Sequence, residues 1–261
     1  KAMYYASVNG GKRIRPLLIK EASKIAKISN FDSFILAAST ECIHSYSLIH
    51  DDLPSMDNDD FRRGKPSTHK KFNEALAILA GDALHDLAFT LISGNLRNKN
   101  PKSQIKLINF LSQCIGHRGL ALGQSFDLEF ENKKQSKNKI LDMYLKKTGK
   151  LFEFSFCAPF ILSNANKSKI KFAKEFGLLF GLIFQISDDV LDEEGTLKKI
   201  GKTPGKDKKK GKSTLISNLG KQNVIELCSR ELKDFETKYS NFLSKNSLLI
   251  ELLKFCLNRV N

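Results

Sequence analysis

Across the 261 residues of the chain, apolar positions recur at helical spacing, and no stretch alternates at period two for long enough to demand a sheet. Only six prolines are present to break helices. The spacing predicts helices over 31–53, 72–93, 117–131, 138–163, 168–192, 213–238 and 245–260, with one more following Pro16, where a first-turn proline is tolerated. Pro54 should end the 31–53 helix, because the residue before a proline is pushed out of the α region. Gly94-Asn95 should end the next one. Nothing repeats at solenoid periods. These features predict an all-α fold, a single-domain helical bundle over 1–261. The opening "KAMYYASVNGGKRIRP" reads as the middle of a helix running into a loop. A further N-terminal helix is therefore expected upstream of Lys1. No uninterrupted run of about 18 apolar residues occurs, so no transmembrane segment is expected.

Two segments depart from the helical pattern. One is the polar loop 54–69, with Gly64 and Pro66. The other is "EEGTLKKIGKTPGKDKKKGKST" at 193–214, whose glycines and lysines suggest a basic lid rather than packed structure. Part of it, "GKDKKKGKST", resembles a Walker A loop. However, five residues separate Gly205 from Gly211 where that loop has four, and no strand precedes it. A P-loop is rejected on both counts.

Lys and Arg outnumber Asp and Glu by 43 to 28, a formal net charge of +15. Either the helix faces are simply lysine-rich and solvated, or the partner is anionic. The lysine run at 198–212 holds no aromatic residue, so nucleic acid is not the expected partner. A small phosphorylated substrate fits better. The five cysteines are odd in number, widely spaced and form no C-x-x-C pair. They read as free thiols in a reducing compartment, which predicts a cytoplasmic protein.

Against this basic background the acids are clustered. "HDDLPSMDNDD", starting at His50, holds Asp51, Asp52, Asp57, Asp59 and Asp60. Two carboxylates at contact distance repel by about 4 kcal/mol at an effective dielectric near 20. An oxygen-only set of this density suits Mg2+, which bridges carboxylates and substrate phosphates. A solvated acidic loop is the plainer reading of this stretch alone. A second cluster, "QISDDVLD" at 185–192, places Asp188 and Asp192 four apart on one helix face, with Asp189 beside them. Carboxylates on facing helices are a known way to hold several metals. A third stretch, "GGKRIRP" at 10–16, combines glycines that allow close backbone approach with Lys12, Arg13 and Arg15 before a helix start. It can receive an anion or be an ordinary positive loop.

Seven motifs in order, "GGKRIRP", "ECIHSYSLIHDDLPSMDNDDFRRGKPSTHK", "LAGDAL", "GQSFDLE", "KKTG", "FQISDDVLD" and "GKTPGKDKKKGKST", cover roughly Gly10 to Leu219. Together they resemble the trans-isoprenyl diphosphate synthase family, in its bacterial farnesyl diphosphate synthase branch. The resemblance implies the isoprenoid synthase bundle with a central apolar cavity, and a homodimer. It implies a Mg2+-dependent prenyltransferase that condenses isopentenyl diphosphate with dimethylallyl and then geranyl diphosphate through an allylic carbocation. About three Mg2+ ions would bridge the diphosphate to Asp51, Asp57 and Asp188, with Asp52, Asp189 and Asp192 supporting them. Arg62, Lys147, Thr148, Gln185, Lys202 and Lys212 would complete the allylic diphosphate site. Lys12, Arg15, His44 and Arg63 would bind isopentenyl diphosphate. Tyr46, five residues before Asp51, would form the floor of the elongation pocket. Gln124 and Asp127 would help order the site, and Arg259 would make a C-terminal phosphate contact. The alternatives are a geranylgeranyl or longer-chain synthase, a terpene cyclase, or a non-catalytic subunit on the same fold. Tyr46 argues against the first, and two complete acidic motifs argue against the others.

Overall fold

The computed structural model describes residues 1–8, 10–194 and 211–258. Helices dominate: α1 (Ala2–Val8), α2 (Ile14–Ala26), α3 (Asn30–Asp51), α4 (Thr68–Lys71), α5 (Glu74–Gly94), α6 (Pro101–Ile115), α7 (Leu120–Glu129), α8 (Lys137–Tyr144), α9 (Lys150–Leu162), α10 (Lys167–Glu194), α11 (Leu215–Leu219), α12 (Lys221–Lys238), α13 (Ser240–Leu243) and α14 (Ser247–Leu257). The only strands among the described residues are the pair β1 (Phe61–Arg62) and β2 (Lys65–Pro66). The fold class is all-α.

Local chemistry explains the main boundaries. The Ser29 hydroxyl caps α3 by accepting the Asp32 N–H, and the Asn73 side chain caps α5 by accepting the Leu76 N–H. Three departures from the sequence expectation have physical causes. The segment 138–163 is not one α-helix: Leu145–Gly149 between α8 and α9 forms a π turn, a feature that concentrates at functional sites. The segment 213–238 is broken into α11 and α12 at Gly220, whose φ of 81 suits glycine. The loop 54–69 contains a hairpin, Arg62 paired with Lys65. Its two turn residues, Arg63 (φ 54) and Gly64 (φ 74), take the left-handed conformations that match strand twist. The basic segment expected to form a lid lies mostly outside the described residues, as do Lys202 and Arg259.

Two compact units make up the chain: Lys1–Ile115 with Phe154–Ala173, and Gly116–Glu153 with Lys174–Asn261. In the first, α3 and α5 form the core. Ala77, Ala80, Gly81, Leu84 and Ala88 of α5 are buried, and Ser39 of α3 donates to the Ala88 carbonyl at 2.9 Å. Phe154, Phe156 and Phe160 are also fully buried in this unit. In the second, Phe152, Phe176 and Phe180 are fully buried, and Phe152 and Phe180 lie 5.2 Å apart between centroids. These phenylalanines are core residues.

One helix bears on the expectation of no transmembrane segment. Among the described residues, α5 is long and apolar enough to cross a bilayer by length and composition. Gly81, Asp82, His85 and Asp86 interrupt its apolar run and mask this in a search for unbroken stretches. Its buried face packs inside the first unit, whereas Leu76, Leu79, Ala83 and Leu87 share an exposed face.

Candidate active site

The first acidic motif closes on itself at the end of α3. The Asp57 N–H donates to the Asp51 carbonyl at 2.8 Å, and the Asp59 N–H donates to the Asp52 carbonyl at 3.1 Å. The chain therefore doubles back and returns Asp57 to Asp51, although six positions separate them. Asp52 is buried and takes Arg62 in a forked contact. Arg62 Nε lies 3.0 and 3.2 Å from its two oxygens, and Nη2 also donates to Oδ1. Arg62 Nη2 reaches Asp59 as well, at 3.2 Å. Burial raises the Asp52 carboxyl above its usual range despite Arg62. Arg62 was expected among the phosphate-binding residues; its guanidinium here also anchors the buried carboxylate of the motif.

The hairpin turn sends the next residue elsewhere. Arg63 Nη1 donates to the Gly10 carbonyl at 3.3 Å, and its guanidinium covers Gly11. Gly11 takes φ +94, a conformation that suits glycine, and a β-carbon there would lie 2.8 Å from Arg63 Cζ and push the guanidinium aside. The "GGKRIRP" loop and Arg63, 53 residues apart, are thereby brought together. Arg13 serves the loop itself: it pairs with Glu41 on α3 and donates to the Ser7 carbonyl at 2.7 Å. Lys12 is exposed and Arg15 half-buried beside it. His44 feels all of these groups. Burial, then Arg15, Arg63, Arg62 and Arg13, push its pKa well below the ordinary histidine value. His44 is thus a neutral imidazole among four guanidinium groups. A recess alongside is lined by residues including Ser45, Asp52, Arg62, Arg63 and Thr68.

Tyr46 sits one turn before His50 on α3, and its ring meets His50 and His85 edge-on. Burial, then Asp51 and Asp82, raise its phenol pKa.

In the second unit the basic and acidic residues form two linked networks. Asp127 of α7 is buried, and its Oδ2 accepts Lys147 Nζ at 2.6 Å and Lys212 Nζ at 2.8 Å. Burial alone would raise Asp127; Lys147 and Lys212 outweigh it and hold the carboxyl below the usual range. Two lysines expected at the diphosphate are thus already gathered on one carboxylate. The π turn carries Lys147 and Thr148 towards this cluster. Thr148 Oγ1 donates to Gln185 Oε1 at 2.5 Å, and Gln185 Nε2 donates to Asp189 Oδ1 at 2.8 Å. The Tyr144 hydroxyl donates to the other Asp189 oxygen and accepts the Leu215 N–H at 3.1 Å. Asp189 and Asp192 are buried, while Asp188 is partly exposed.

Each motif therefore has a buried middle aspartate held by protein donors: Asp52 by Arg62, and Asp189 by Tyr144 and Gln185. Sequence reasoning did not single out Tyr144, Glu41 or His85. Tyr144 carries no local signal, because its partners lie 45 and 71 positions away. His85 lies in a segment read only as a helix, where nothing in the local sequence assigned it a role.

Among the described residues, no three His, Cys, Asp or Glu side chains converge tightly enough to hold an ion alone. Mg2+ does not require such a cage, since it keeps waters and shares phosphate oxygens with one or two carboxylates. The hard-oxygen donors at Asp51 and Asp57, joined through the backbone bond between them, fit that ion.

A helical synthase with two complete acidic motifs and a glycine-rich basic loop is the class these features define. The polyprenyl synthetase family model matches residues 1–241, and the chain belongs to that family. It is 39% identical over 259 residues to the farnesyl diphosphate synthase of Micrococcus luteus, covering 99% of this chain and 88% of that one. It is 42% identical over 242 residues to the farnesyl diphosphate synthase of Geobacillus stearothermophilus, covering 90% and 82%. The geranyltransferase of Helicobacter pylori, solved with magnesium and isoprenyl diphosphate, superposes with a TM-score of 0.86 at 33% identity, over 99% of this chain and 86% of that one.

Proposed function

We propose that this protein is a Mg2+-dependent prenyltransferase that condenses isopentenyl diphosphate with dimethylallyl and then geranyl diphosphate, releasing diphosphate and forming farnesyl diphosphate. The observation that carries the reading is the paired construction of the acidic motifs, each with its middle carboxylate already held by protein donors. In this reading Asp51, Asp57 and Asp188 take the roles of metal ligand, with Asp52, Asp189 and Asp192 supporting them. About three ions per site belong to this reading. When bound, Mg2+ neutralises charge on the diphosphate.

The chain's own residues do the rest. Lys147 and Lys212 exchange Asp127 for phosphate oxygens and stabilise the charge that builds on the leaving diphosphate. Arg62, Thr148, Gln185 and Lys202 complete the allylic site. Lys12, Arg15 and Arg63 take the second diphosphate, and neutral His44 offers a hydrogen bond there without adding to the positive charge. The C–O bond of the allylic substrate breaks, the alkene of isopentenyl diphosphate attacks the allylic cation, and a proton is lost to the released diphosphate. Tyr46 closes the elongation pocket after fifteen carbons. The exposed leucines of α5 support a homodimer, because a second copy of the same face would cover them. The buried free thiols support a reducing, cytoplasmic setting.

The test is direct. The purified protein is incubated with Mg2+, isopentenyl diphosphate and either the five- or the ten-carbon allylic diphosphate, and the products are sized. A fifteen-carbon diphosphate is expected. Recovery of only free alcohols or cyclic hydrocarbons would refute the assignment.

A further inference from the structure

Tyr46 is one of four rings shared by two helices. His50 and Tyr46 come from α3, four residues apart; His85 and Phe89 come from α5, also four apart. Tyr46 meets His50 with centroids 5.0 Å apart and planes at 78°, and meets His85 at 5.2 Å and 73°. His85 in turn lies 5.2 Å from Phe89. Small buried residues bring α5 against α3, and a β-carbon on Gly81 would lie 2.2 Å from His50 Nε2. His85 therefore stands against the ring of Tyr46 on a helix whose position is already fixed. It is not a core residue, for 36% of its side chain is exposed.

We infer that His85 is a specificity-determining positioning residue: by bracing the Tyr46 ring from α5, it sets where the elongating chain stops. The inference rests on the reading of Tyr46 as the pocket floor. A ring that blocks a growing apolar chain must resist being turned aside. Tyr46 has free rotation about its χ1 and χ2 bonds unless neighbours restrict it. His50 touches the same ring from its own helix, with Nε2 3.2 Å from the Ile78 carbonyl of α5, and His85 adds the ring contact that comes from α5 itself. The imidazole of His85 supplies an edge-to-face contact from the facing helix. Removing it opens space on the flank of Tyr46 into which the phenol can swing, and a chain one five-carbon unit longer can then pass.

The experiment sizes products from the full chain and its variants with Mg2+, isopentenyl diphosphate and geranyl diphosphate. For His85→Ala, the ratio of twenty-carbon to fifteen-carbon product is expected to rise on the order of tenfold, the discrimination an apolar wall commonly supplies. His85→Phe, which restores a ring, should return the ratio to that of the parent. Tyr46→Ala should lengthen the product, and adding His85→Ala to it should lengthen it no further. Thermal melts check that each variant folds, and His85→Gln gives a second ring-free variant if His85→Ala does not. Parental product ratios in folded His85→Ala or His85→Gln, while Tyr46→Ala lengthens the product, would overturn the inference. A parent that makes no prenyl diphosphate would sink the functional reading instead.

Discussion

Gly123 and Lys147 touch through their backbones: a β-carbon built on Gly123 would lie 2.1 Å from the Lys147 nitrogen and 2.5 Å from its Cα. Helix α7 thus seats the π turn at a position where only glycine fits. Because the obstructing atoms are main chain, no side-chain rotation can relieve the clash. Gly123→Ala should push the turn away, displacing Lys147 from Asp127 and Thr148 from Gln185. A loss of about 1–3 kcal/mol in stability is expected from overpacking of this kind. A raised KM for the allylic diphosphate, larger than any change in KM for isopentenyl diphosphate, would localise the damage. An unaltered KM ratio in a folded variant would show that the turn does not carry the allylic site.

Tyr144→Phe removes one hydroxyl and disturbs two elements at once. The hydroxyl donates to Asp189 and accepts the Leu215 N–H. Both partners are buried, so the N–H would be left without its acceptor, at a cost of roughly 1–3 kcal/mol. Urea denaturation should show the loss. Turnover should fall, and half-maximal activity should need more Mg2+, because Asp189 no longer fixes its neighbour Asp188. Wild-type Mg2+ dependence would separate Tyr144 from the acidic motif.

Arg62 and Asp52 form a pair with the carboxylate side fully enclosed. Arg62→Ala strands that carboxylate and should cost roughly 3–5 kcal/mol, the range for breaking a buried ion pair from one side. Arg62→Lys should recover only part of the loss, since an ammonium group cannot supply the fork made by Nε and Nη2. Thermal melts of the two variants give the comparison. Full rescue by lysine would mean that charge alone, not geometry, holds Asp52.

The depressed pKa of His44 sets a sign for the pH dependence of stability. Above the unfolded-state value near 6.5, His44 is neutral in both states and contributes no slope. Below it, the unfolded chain takes up a proton that the folded chain refuses. Folding stability is therefore lost as pH falls from about 6.5, at up to about 1.4 kcal/mol per pH unit from this one group, until the lowered folded-state pKa is reached. His44→Gln should flatten this limb of a plot of melting temperature against pH. Identical slopes below pH 6.5 for parent and variant would contradict a neutral, cation-crowded His44.

Helical periodicity determined the class of fold, because burying one face of an α-helix leaves a 3.6-residue trace in any sequence. The chemistry was legible only through the seven motifs taken in order and the family they resemble, since each acidic or basic stretch alone also reads as a solvated loop. Partner choice was different. Arg62 and Arg63 are adjacent and chemically identical, yet one grips Asp52 and the other covers Gly11, because a left-handed two-residue turn points them apart. Lys147 and Lys212 meet on Asp127, Tyr144 bridges Asp189 to Leu215, and His85 braces Tyr46, all across 20 to 85 positions of chain. Such pairings leave no periodic mark, for they depend on how helices pack in three dimensions, and only the tertiary structure decided them.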